Sequence, residues 1–342
     1  MEFLASSQSL RRALAAATWL VCVWGFSLTM PHALLASPTT PSPEAYSSIH
    51  WDLKTGRAND AISLLQNKLA KNSTDATAHH LLCRVYLQEE RWPDAEQECE
   101  RAVQLDPNNS NYHLWLGRAY GGAAAHTSLR SAYFLARKVH AEFETAVRLD
   151  PKNLSALSDL GEYDVDVPRF IGGGLEHAQQ IAQQLAPLDA SRCHELQAKI
   201  AEKQSDFPSA EKEWKLAIQT SPDPAEQWMN LAGFYANRKN FSAMRQSIEN
   251  GVAADPAKGI ALVQAATLLI QNHQNMRQAE QMLQQYLASS QQSADAPAFQ
   301  VDVQLGNLLA SQGDRAGAQR EYAAARALAS NYAPAQQATS GV

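Results

Sequence analysis

The chain has 342 residues, 19% of them charged, and a formal net charge of −6 at pH 7. Acidic balance with no basic stripe argues against nucleic acid as a partner, since that binding rests on clustered cations that displace counterions. Val, Ile, Thr, Tyr and Phe never gather into alternating runs, so no strand is predicted.

Arg11 and Arg12 precede an uncharged run from Ala13 to Met30, followed by Leu34-Leu35-Ala36 and a Ser/Thr/Pro-rich stretch over 37–43. This is the layout of a secretory signal peptide over residues 1–36, with cleavage expected after Ala36 because Pro38 blocks the next bond. The run is also just long enough to span a bilayer, so the alternative is an uncleaved anchor, the one route by which the chain would meet a membrane. Either way the remainder is expected to be exported, in a periplasm or secreted, because the arginines hold the N-terminal side in the cytoplasm. Cys22 lacks the small preceding residues of a lipidation signal, having Trp19, Leu20 and Val21 before it. A linker at 37–45 leads into the body of the chain.

From residue 42 one spacing, with a basic period of 34 residues, recurs through units 42–75, 76–109, 110–153, 154–190, 191–224, 225–258, 259–298 and 299–332. Leucine at position seven and a small residue at eight, as in Leu116-Gly117 and Leu231-Ala232, share a helical face with position four. A second helix follows. It carries a small residue near position twenty (Ala61, Ala95, Ala178, Ala210, Ala279, Ala318) and a bulky one at twenty-four (Leu65, Phe143, Trp214, Ile248, Leu283, Tyr322). So short a helix pair cannot bury its apolar face alone, and stacked neighbours must complete the core.

Cys83, Tyr86, Ala95, Ala102 and Pro107 in one unit, Leu116, Gly117, Tyr120, Ala146 and Pro151 in the next, and Ala210, Trp214, Ala217 and Pro222 further on resemble the tetratricopeptide repeat (TPR) family. The resemblance implies an all-α, right-handed superhelical solenoid of about eight helix-turn-helix units over 42–332. Residues 333–342 are expected to be a flexible tail, too short and too broken by Pro334 for another good helix. In the second unit Cys83 and Cys99 lie at the same height of one hairpin. They are either a disulfide or two small core cysteines, and the usual 8–10 Å between packed helix axes favours the second reading.

Two neighbouring units carry insertions. The third carries extra residues between Tyr120 and Val139, and the fourth an insertion with Pro168, Phe170, Ile171 and Gly172-Gly173-Gly174. Both are expected to project from one edge, with Phe170 and Ile171 as candidate contacts. The glycine run lacks the lysine and Ser/Thr of a phosphate loop and reads as a corner. No GxSxG, cysteine–histidine signature or isolated carboxylate pair is present, so no catalytic residue, cofactor or enzyme activity is expected. His79, His113 and His194 recur at position four, where the family often has Trp, and no HExxH accompanies them; no metal centre is expected.

The resemblance also implies that the first helix of each unit lines a concave groove whose positions two, five and nine face a protein or peptide partner. Candidate contacts at five and nine are His80, Arg84, Arg118, Glu162, Lys199, Met229, Val263 and Asn307. Position five never carries the lysine of the family's carboxylate clamp, which argues against a chaperone-tail role. His80, Arg84 and Arg118 make one part cationic, and Met229, Ile260, Val263 and Val303 make another apolar. An extended segment with an acidic end and an apolar end fits that gradient. The expected function is a non-catalytic scaffold or adaptor of the cell envelope. The alternative is an accessory subunit of an envelope enzyme or transporter, or a small-ligand capture protein, for which an open array supplies pockets only at its insertions. The sequence leaves the oligomeric state unspecified.

Overall fold

The computed structural model describes residues 46–340. The expected signal peptide at 1–36 and linker at 37–45 lie outside the described residues. Within them no helix is long and apolar enough to cross a membrane.

The helices come in hairpins, one per unit. They are α1 (Ser47–Thr55) with α2 (Ala58–Lys71), α3 (Ala76–Gln88) with α4 (Trp92–Leu105), α5 (Ser110–Ala125) with α6 (Leu129–Leu149), and α7 (Leu154–Asp166) with α8 (Leu175–Leu185). Next come α9 (Ala190–Lys203) with α10 (Phe207–Thr220), α11 (Ala225–Asn237) with α12 (Phe241–Ala254), α13 (Ile260–Gln271) with α14 (Met276–Ala288), and α15 (Ala298–Ser311) with α16 (Arg315–Leu328). The described part of the chain is thus an all-α solenoid of eight units, as the repeat predicts.

Side-chain caps set where many of these helices begin. Asp75, Asn109, Asn153 and Asp189 accept from backbone N–H groups of the first turn of α3, α5, α7 and α9. Asp206, Asn240, Asn275 and Asp314 do the same for α10, α12, α14 and α16. Between the two helices of a unit the chain reverses through one left-handed residue, Gly56, Glu90, Ser205, Lys239 or Gly313, and in the seventh unit through two, His273 and Asn275. The third and fourth units depart from this rule. In the third, the extra residues lengthen α5 and α6, with Ser128 capping α6, and no loop projects. In the fourth, a 3-10 turn at Arg169–Ile171 leads into Gly172 and Gly174, both at positive φ. Ile171 is buried in the core there, which corrects its expected role as a contact, while Phe170 is 59% exposed.

Position eight packs on position twenty-four within a hairpin. A Cβ on Gly117 would lie 2.4 Å from the Phe143 ring, and one on Gly306 would lie 2.5 Å from Tyr322. Cys83 and Cys99 hold these same positions in the second unit, with Cα atoms 5.3 Å apart and a disulfide between them. The preference for two separate thiols is therefore corrected. Average axis spacing does not describe the point where two small residues face each other and the backbones come closest.

The expected tail also differs. Residues Ala333–Ser340 form α17, and Pro334 sits in its first turn, where a missing N–H costs nothing. This helix packs on α15 and α16, burying Tyr332 and Ala335, and so supplies the cap that a solenoid end needs.

The eighth unit returns to the first. Asn59 of α2 donates to the Ala327 carbonyl and accepts from the backbone N–H and hydroxyl of Ser330. Gln88 donates to the carbonyls of Leu53 and Ala294, and its own carbonyl accepts from Gln300. Tyr332 donates to Glu90. Gly56 lies so close to the start of α15 that a Cβ there would be 2.5 Å from the Ala298 nitrogen. The array is a closed ring.

Candidate functional site

Closure turns the expected groove into an interior. The first helices of the second to eighth units, α3, α5, α7, α9, α11, α13 and α15, all contribute lining side chains to two cavities of about 690 and 950 Å³. Glu162, Lys199, Asn230 and Asp295 line both, so the two adjoin. Asp295 comes from the connection between α14 and α15, a lengthening of the seventh unit that runs inward. Tyr286 anchors that segment, its hydroxyl donating to the Ala296 carbonyl and accepting from the Ser293 N–H.

Charge in the interior is arranged in pairs. Arg118 reaches Asp159 through two nitrogens, at 2.7 and 3.2 Å. Lys199 sits 2.6 Å from Glu162 and 2.9 Å from Glu195. Burial would lower the Lys199 pKa, but the two carboxylates outweigh it and hold the ammonium charged. Burial pushes Glu162 up. Against the same burial, Lys199, Gln227 and Arg192 hold Glu195 below the usual carboxylate range. Arg84 has no such carboxylate partner: its guanidinium lies 4.5 Å from the Trp115 ring centroid, with Arg118 at 4.6 Å from the same ring, and its buried Nε makes no hydrogen bond. The field of Asp295 acts on both arginines.

Of the expected contacts, Arg84, Arg118, Glu162, Lys199, Met229 and Val263 do line the interior. His80 does not: it is buried against Tyr112 and Trp115, and burial lowers its pKa to about 3, so it is neutral. Asn307 lines neither cavity and accepts from its own unit's Tyr322. The expected cationic sector is corrected as well, because carboxylates outnumber arginines and lysines around the cavity that contains Arg84 and Arg118. Of the expected apolar sector, Met229, Ile260 and Val263 line the other cavity, whereas Val303 lines neither.

Position-four histidines are tied within their units. The Nδ1 atoms of His79, His113 and His194 lie 2.5, 2.6 and 2.7 Å from Glu98, Glu142 and Glu213. A different set, His140, Asp164 and His177, is brought together from α6, α7 and α8, with one donor atom of each inside a 4.8 Å span. Sequence reasoning passed over these three, as it did Trp115 and Asp295. Residues from three separate helices leave no spacing signature, whereas the extra length of the seventh unit was the available signal for Asp295.

Comparison with known proteins agrees with the fold. Residues 52–119 match the tetratricopeptide repeat family profile. No curated protein matches the chain in sequence. Among solved structures, yeast Tom70 aligns with 91% of this chain and 67% of its own at 17% identity and a TM-score of 0.53. A thermophilic TPR protein of Thermus thermophilus aligns with 56% of this chain and 97% of its own at 16% identity and a TM-score of 0.47. The class is therefore a TPR-type solenoid, and proteins of this class are in general protein-interaction scaffolds.

Proposed function

We propose that this chain is a non-catalytic scaffold of the cell envelope that holds an extended protein segment inside its ring. The observation that carries the reading is that seven successive first helices line two adjoining cavities on the inner side of the ring. Although carboxylates outnumber cations around the cavity that contains Arg84, its guanidinium beside Trp115 has no carboxylate partner, which favours a segment with a carboxylate at that corner and an apolar stretch over Met229, Ile260 and Val263. Asp295 already presents a carboxylate to that corner from the chain's own connection. Export is supported by the arginine-led apolar leader and by the Cys83–Cys99 bridge, which suits an oxidising compartment.

Enclosure also favours a second reading, capture of a small ligand, since a ring supplies the walls that an open array lacks. A photoreactive residue at Asn230, which lines both cavities, tests the two against each other. Crosslinking of one consistent protein there, but not from Leu64 on the outer helix α2, supports the scaffold. A ligand-induced rise in melting temperature with no protein adduct at Asn230 supports capture. Arg84→Glu is expected to weaken the protein adduct, and unchanged crosslinking in that variant contradicts the proposed corner.

A further inference from the structure

Asp164 is the most unusual carboxylate among the described residues. Its side chain has no solvent exposure, and neither oxygen makes a hydrogen bond. A buried carboxylate without donors is costly, so something must compensate it. Two imidazoles face it. His177 Nδ1 lies 2.7 Å from Oδ2, yet the ring N–H is not aligned to donate. His140 Nε2 lies 3.8 Å from Oδ1 and is itself buried without a hydrogen-bond partner. A simple His177–Asp164 ion pair would leave His140 Nε2 and the second oxygen unanswered. One cation between the three would satisfy them all.

The surroundings are built around this point. His140 turns its other nitrogen, Nδ1, towards Glu144 at 3.5 Å, the outer carboxylate contact that orients metal-bound imidazoles. The fourth-unit corner folds over the same ring: a Cβ at Gly172 would lie 3.1 Å from His140 Nδ1, and the Gly174 N–H donates to the Asp164 carbonyl. His177 is 37% exposed, so the cluster opens to solvent on one side, where a fourth ligand can enter.

We propose that His140, Asp164 and His177 form a binding site for one divalent transition-metal ion of the zinc class. Two imidazole nitrogens and one carboxylate oxygen suit that class and not calcium or magnesium, which prefer oxygen alone. The ion clamps α6, α7 and α8 together across the third and fourth units and leaves an outward coordination position for water or a partner group.

The test uses the full chain, stripped with chelator and titrated with Co2+ and then Zn2+. One equivalent of Co2+ is expected to give ligand-field absorption that Zn2+ abolishes, and Zn2+ is expected to raise the melting temperature. His177→Ala, at a partly exposed position that folding tolerates, should weaken Co2+ binding at least tenfold and remove the Zn2+ shift. Asp164→Asn should do the same, while His194→Ala, in the fifth unit's His–Glu pair, should leave both readouts unchanged. Absence of Co2+ absorption in the parent protein overturns the site, as does equal binding and equal thermal shift in His177→Ala.

Discussion

Glycines and titrating groups make the sharpest residue-scale predictions. Gly117→Ala drives a Cβ into the Phe143 ring and should destabilise by about 1–3 kcal/mol. Gly233→Ala, whose nearest neighbour would be Leu268 at 3.9 Å, should instead stabilise by about 0.5–1 kcal/mol through helix propensity. Chemical denaturation of both variants checks the opposite signs. Asp302 is buried in α15, and its pKa is pushed up to about 7, first by burial and then by Glu321. A carboxyl raised in the folded state costs stability as pH climbs from its unfolded value towards the folded one. Asp302→Asn should therefore raise the melting temperature at pH 8, with the gain shrinking towards pH 4. His113 is raised by Glu142, and His79 by Glu98 against the opposing effect of burial. Their contribution is complete below about pH 6.5 and is lost as pH rises through the folded values. Glu142→Gln should flatten the decline as pH rises above about 6.5.

Hairpins are the natural unit at the scale of elements. Lys239 reverses the chain between α11 and α12 at φ 58, a conformation that costs a residue with a Cβ about 1 kcal/mol or more. Lys239→Gly should stabilise the protein by about 0.5–1 kcal/mol, measured by the denaturation midpoint, since its side chain is exposed. Reducing Cys83–Cys99 should cost roughly 3 kcal/mol for a loop of this length, and Cys83→Ala should match the reduced protein. Both helices of every unit were legible in the sequence, because the small and bulky positions of the repeat set their packing. The bridge was misjudged because close approach at paired small residues is a local property that mean helix spacing conceals. The third-unit elongation was visible as extra residues, but not its form: Ala123, Ala124 and Ala125 continue α5 helically instead of making a loop.

Closure is the property of the whole molecule that no single repeat announces. It depends on accumulated rotation over eight units and on particular contacts, Asn59 with Ala327 and Ser330, Gln88 with Ala294 and Gln300, and Gly56 with Ala298. Those residues are unremarkable in sequence, which is why the groove was legible and the ring was not. Of the candidate site, the lining positions at Arg84, Arg118, Glu162 and Lys199 followed from the repeat. The pairing of Arg118 with Asp159 and of Lys199 with Glu162 did not, because each joins side chains of neighbouring units. Ring closure is tested most directly by an Asn59→Cys, Ser330→Cys double variant, whose parent side chains approach to 2.8 Å. Mild oxidation followed by peptide mapping should find an intramolecular 59–330 disulfide in nearly all of the monomer. Free thiols at both positions, or a bridge formed only between molecules, would contradict the closed ring and with it the enclosed interior.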